Sequence, residues 1–243
     1  MITMRRRAFT LIEVMMALAV VGIFLAISYR LFIGSQRIAG KGTWTSGVID
    51  QMRNALNQLN LSLKSTSYPT TLLSDAIKDP VNGGMDVAKK FFVKLHKDGT
   101  VKVANLTGET EIAQWVVCEP EKPPQRGIII YHRLLLVPIA KTVVKEGEKV
   151  AELWIDAQAN AFSTTGPKHA ESGTLSLTAL PDKNRRFRIL EDVSEVRFTV
   201  PSALPALDPQ PIKIELRCQY PRDVNTFKEN SLMITPNVGV DNL

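Results

Sequence analysis

Residues 9–33 read FTLIEVMMALAVVGIFLAISYRLFI, an apolar run broken only by Thr10, Glu13, Ser28, Tyr29 and Arg30. A helix of about 20 residues crosses the hydrocarbon core of a bilayer, so this run is predicted to span a membrane. Arg5, Arg6 and Arg7 stand directly before it, and basic residues stay on the cytoplasmic side, which puts the rest of the chain outside. A secretory signal has a shorter apolar part ending at a small-residue site, whereas this run passes into a further helical pattern. A plain signal anchor explains the run but not Glu13. An ionised carboxylate at that depth is costly, so an acid there reads as functional.

Past Gly34 the pattern changes to one apolar face: Val48, Met52, Ala55, Leu56, Leu59 and Leu63 recur at steps of three and four, opposite Asp50, Arg53, Asn54 and Asn57. That period predicts a helix laid against a sheet. One long helix over about 9–63 follows, with Gly34, Gly40, Gly42 and Gly47 marking either bends or merely loose turns. Tyr68-Pro69, Asp79-Pro80 and Asn82-Gly83-Gly84 then place a loop region at 65–86. Runs of β character follow at 90–96, 101–104, 112–118, 127–137, 150–156, 186–190, 193–201 and 212–220, predicting a mostly antiparallel sheet. Lys97-Asp98-Gly99-Thr100 is expected to turn the first two into a hairpin. The run 127–137 is too apolar to face water on both sides and reads as a central strand or strand pair. Val196, Phe198 and Val200 share one face of the 193–201 run, opposite Glu195, Arg197 and Thr199.

The predicted fold class is α+β, with a leader at 1–8, a membrane helix at 9–33, an amphipathic continuation at 34–64 and one β-rich domain at 65–243. That last length can bury a single sizeable core. The chain is 44% hydrophobic and 22% charged, which argues against disorder. Its formal charge is +6, but three of those charges are Arg5 to Arg7, and elsewhere basic residues alternate with acids, as in Lys145-Glu146-Gly147-Glu148-Lys149. No nucleic-acid partner is expected.

His96, His132 and His169 are scattered, and neither a nucleophile elbow nor a phosphate-cradling loop occurs. No residue is nominated for catalysis, and the chain is expected not to be an enzyme. His132 reads as a hydrogen-bonded strand residue rather than a ligand. Asp75, Asp79 and Asp86 lie in the turn-rich stretch, where solvated turn acids are favoured over a Ca²⁺ site, so no cofactor is expected. Cys118 and Cys218 lack metal-ligand spacing. Export to an oxidising compartment allows a disulfide between them, and two unpaired buried thiols stand as the equal alternative.

The stretch Arg5-Arg6-Arg7-Ala8-Phe9-Thr10-Leu11-Ile12-Glu13-Val14 resembles the type III signal of type IV prepilins and pseudopilins. The resemblance implies a cut by prepilin peptidase between Ala8 and Phe9, methylation of the new Phe9 amine, and a register role for Glu13. Ala8 departs from the family's usual Gly. Physically, the amine freed on Phe9 is cationic near neutral pH. The Glu13 carboxylate of one subunit would neutralise the Phe9 amine of another, removing two isolated charges from lipid. A Glu13 that pairs only with its own Phe9 amine or reaches the interface is the alternative.

A second, looser resemblance runs from Ile189-Leu190-Glu191-Asp192-Val193-Ser194-Glu195-Val196-Arg197-Phe198-Thr199-Val200 to Pro211-Ile212-Lys213-Ile214-Glu215-Leu216. It is similar to the C-terminal part of J-type minor pseudopilins of type II secretion and of W-type minor pilins. It implies a minor pseudopilin at or near a filament tip, with other minor and major pseudopilins or pilins, prepilin peptidase and an inner-membrane assembly platform as partners. The implied location is the bacterial inner membrane with the C-terminal domain in the periplasm. A minor type IV pilin for pilus assembly, twitching or DNA uptake is the nearest alternative. A membrane-anchored periplasmic binding module is the alternative of another class.

Overall fold

The computed structural model describes residues 10–67, 89, 91–121, 126–139, 149–165, 174–221 and 225–243. Its first element, α1 (Leu11–Lys64), is helical throughout. The glycines at 34, 40, 42 and 47 do not interrupt it. A Cβ on Gly34, Gly42 or Gly47 would meet nothing within 4 Å, so no packing demand places glycine there. The chain divides into two compact units after Ser46. In the first unit α1 is exposed along its apolar stretch, and it is long and apolar enough to cross a membrane.

The second unit takes in the last turns of α1 and, among the described residues, ten strands: β1 (Val93–Leu95), β2 (Thr100–Lys102), β3 (Thr110–Glu121), β4 (Arg126–Ile139), β5 (Val150–Thr165), β6 (Thr174–Ala179), β7 (Arg185–Thr199), β8 (Ile212–Gln219), β9 (Phe227–Ile234) and β10 (Val240–Asn242). They form one curled, mostly antiparallel sheet in the order β10-β1-β3-β4-β5-β7-β8-β9, with β2 on β7 and β6 on β5. Among the described residues, only β1 and β10 pair in parallel. The architecture is thus the α+β, pilin-like one expected.

Burial on α1 follows the sequence period: Val48, Met52, Ala55, Leu56, Leu59 and Leu63 are its buried residues. Each such side chain stabilises by about 1.5–3 kcal/mol relative to exposure, less for Ala55. Trp115 of β3, fully buried, donates its Nε1–H to Ser62 Oγ at 2.8 Å and so fixes the last turns of α1 on the sheet. Helix ends leave carbonyls unpaired. Here Asn237, from the loop before β10, donates its side-chain amide to Lys64 O at 2.5 Å and its N–H to Thr66 Oγ1 at 3.0 Å.

Two strand expectations change. The turn at Lys97–Gly99 forms, with Gly99 N–H donating to His96 O at 3.0 Å and Gly99 at φ 65°. Its flanking strands do not pair with each other: β1 pairs with β3 and β10, and β2 with the end of β7. Turn chemistry fixes the reversal, while burial of Val93, Leu95 and Val101 selects other partners. The run 127–137 is the single central strand that was one of the two expected alternatives, lying between β3 and β5. The runs 186–190 and 193–201 fuse into β7, which kinks at Asp192, φ 55°. β5 leaves β7 near this kink and β2 takes its place. Strands β6, β9 and β10 were not anticipated. The loop expected at 65–86 lies outside the described residues from residue 68 on.

Candidate processing and assembly site

Thr10 stands immediately before α1, in the N-cap place, and Glu13 lies in the first turn. Thr10 N–H donates to Glu13 Oε2 at 2.9 Å, and Thr10 Oγ1–H donates to the same oxygen at 3.0 Å. Glu13 N–H donates to the Thr10 carbonyl at 3.1 Å and lies 3.4 Å from Thr10 Oγ1. This reciprocal arrangement is a capping box, which satisfies two donors that a helix start otherwise leaves bare. Sequence reasoning valued Glu13 for its charge and missed Thr10. The signal was there as Thr-x-x-Glu before an apolar run.

The capping box keeps the Glu13 carboxylate at the very start of the helix, against Thr10. Ala8 and Phe9 themselves lie outside the described residues. Around Glu13 the helix is a bare apolar surface: Leu11 is 79% exposed, and Ile12, Met15, Met16, Leu18 and Val20 are nearly as open. Such a surface must be covered by lipid or by other apolar helices. A single acid in it then acts only through the few charges or donors that share its depth.

The other nominated residues are not gathered with this site. Cys118 sits on β3 and Cys218 on β8, both as free thiols, so the bridge allowed by the sequence is not formed. Strands β4, β5 and β7 intervene. At roughly 4.8 Å per strand, that separation exceeds the roughly 7 Å Cα reach of a disulfide. Burial pushes the Cys118 thiol up to about 12. Burial, then the nearby Asp192, raise that of Cys218 further. Neither is poised as a nucleophile.

His132 on β4 stacks flat on Trp115, ring centroids 5.4 Å apart. Its Nδ1 is buried without a hydrogen-bond partner among the described residues. Burial lowers its pKa, opposed by the Ile130 backbone. It is thus a half-buried ring whose charging is disfavoured. No group of His, Cys, Asp or Glu suited to a metal occurs among the described residues. Asp75, Asp79 and Asp86 lie outside them.

A family model described as the prokaryotic N-terminal methylation motif matches residues 3–29. No curated protein and no solved structure matches the chain. The motif and the long apolar helix together support a type IV pilin-like precursor, one anchored in a membrane and suited to prepilin peptidase processing and to assembly with other pilins.

Proposed function

We propose that this chain is a minor pseudopilin of a type II secretion system, a non-catalytic subunit placed at or near the tip of a periplasmic filament that supports protein export. The observation that carries the reading is the methylation motif at residues 3–29 running directly into an exposed apolar helix that holds one acid, Glu13. Prepilin peptidase cuts between Ala8 and Phe9, and Phe9 becomes the methylated N-terminus. The helix sits in the inner membrane with the β domain in the periplasm, until the assembly platform extracts it.

Glu13 then sets register. Within one subunit it accepts two hydrogen bonds from Thr10. A carboxylate has about four lone-pair sites, so capacity remains for a neighbour's Phe9 ammonium. Pairing there replaces two uncompensated charges in hydrocarbon by one neutral contact. Favouring the J-type minor subunit is the run around Leu190 and Val193 to Val200, followed by the Pro211-led strand.

The test is expression of the full chain with and without prepilin peptidase. The expected product with the enzyme lacks residues 1–8, by mass, and begins at methylated Phe9. An unchanged mass would sink the reading. Glu13→Val is expected to leave the domain folded and the chain membrane-bound but to abolish incorporation into the filament. If that variant keeps full function, the chain is instead an anchored binding module.

A further inference from the structure

Strand β9 ends the sheet, with β8 on one side and, among the described residues, no strand on the other. The β8–β9 hairpin closes through Tyr220 N–H donating to Thr226 O at 2.8 Å. Antiparallel partners alternate between hydrogen-bonded and non-bonded pairs. With Gln219 opposite Phe227 and Ile212 opposite Ile234, the backbone groups of Lys228, Asn230, Leu232 and Ile234 turn toward β8. Those of Phe227, Glu229, Ser231 and Met233 turn outward. Ser231 agrees: its N–H donates to Asn230 Oδ1 at 2.9 Å, a side chain of its own strand.

Exposed edges are usually blunted by prolines, charges or bulges. β9 carries Lys228 and Glu229 near its start, but Asn230 to Ile234 hold none of these. Met233 is 64% exposed and Phe227 45%, on the same face and at opposite ends of the outward set.

We propose that a second copy of this chain pairs β9 on β9, antiparallel, about a two-fold axis through Asn230. In that register Phe227 of each copy meets Met233 of the other, and Glu229 of each meets Ser231 of the other. Every outward residue is then hydrogen-bonded, and the two exposed apolar side chains cover each other with a sulfur–aromatic contact. Sliding by one repeat in one direction sets Glu229 against Glu229. Sliding the other way sets Glu229 against Met233 and leaves Phe227 unpaired. Charge and apolar pattern therefore select one register and a like partner. Such a contact uses the same edge on both copies and closes on itself. Confinement of both copies to one membrane raises their effective concentration. Pairing at β9 is independent of a role in secretion, and leader cleavage does not test it.

Across a non-bonded antiparallel pair the Cα atoms stand about 4.5 Å apart, within disulfide reach. Asn230→Cys in the full chain, oxidised in its membrane, is therefore expected to give a homodimer on a non-reducing gel. Its yield should exceed by tenfold or more that of the unmodified chain and of Lys213→Cys, one strand inward. Adding Ser231→Pro removes an N–H that β8 does not use, so dimer is expected to fall to background with thermal unfolding unchanged. Met233→Lys, read in parallel, is expected to reduce the dimer equally without touching the backbone. A monomeric Asn230→Cys chain overturns the proposal, as does a dimer that survives both second substitutions or an adduct with a different protein.

Discussion

Thr10 and Glu13 show how one residue pair serves two ends. The carboxylate that closes the helix start of a lone subunit is the same one proposed to take a charge partner in assembly. Thr10→Ala removes the cap at a cost of about 0.5–2 kcal/mol to the helix end. Amide exchange over residues 11–14 in micelles is expected to speed accordingly, while exchange in the β domain stays the same. Deeper in the chain, Trp115 and His132 make a flat stack beneath the end of α1. Trp115→Ala is expected to cost about 3–5 kcal/mol in urea unfolding. His132 adds a pH dependence. Burial lowers its folded pKa, so below about 6.5 the unfolded chain binds a proton that the folded chain resists. Stability is then full above that pH and falls as pH drops through it. His132→Phe is expected to flatten that part of the stability–pH curve.

Among the elements, α1 was the most legible and the short strands the least. The apolar face from Val48 to Leu63 was readable because a 3.6-residue period leaves no second way to bury those six residues. Leu59→Ala, at a fully buried position, is expected to cost about 2–5 kcal/mol. β9 was not readable, because its outward side carries Phe227 and Met233 while its inward side carries Lys228 and Asn230, which blurs the two-residue period. β10 is three residues long and exists because of its neighbours: Val93 N–H donates to Gly239 O at 3.0 Å, and Val240 exchanges hydrogen bonds with Ala206. A Cβ on Gly239 would come within 2.5 Å of the Ala206 carbonyl and 2.8 Å of the Phe92 ring. Gly239→Ala is therefore expected to destabilise by about 1–3 kcal/mol, read as a shift in the urea midpoint.

At the scale of the whole chain, two compact units carry two kinds of surface. The first presents apolar side chains that water does not tolerate, so its surroundings are lipid or other such helices. The second buries its own core and presents charge, as in Arg197 between Glu195 and Glu215, and Arg217 beside Glu229 over the Phe227 ring. These exposed pairs add little stability singly. They keep that face soluble, while the outer edge of β9 has no strand on it among the described residues. Truncation to residues 47–243, the second unit, is expected to give a water-soluble domain with cooperative unfolding, checked by circular dichroism and sedimentation.

The sequence alone determined the membrane run, the motif around Ala8 to Glu13, the buried face of α1 and the sheet-forming character of most long strands. Each follows from residues close along the chain, where periodicity and charge act directly. Only the tertiary structure decided that β1 and β2 part company, that β7 runs unbroken through Asp192, that Cys118 and Cys218 lie strands apart, and that β9 is an edge among the described residues. Those outcomes depend on which distant apolar surfaces meet, and pairing energies of similar size for many partners leave no local trace of the choice.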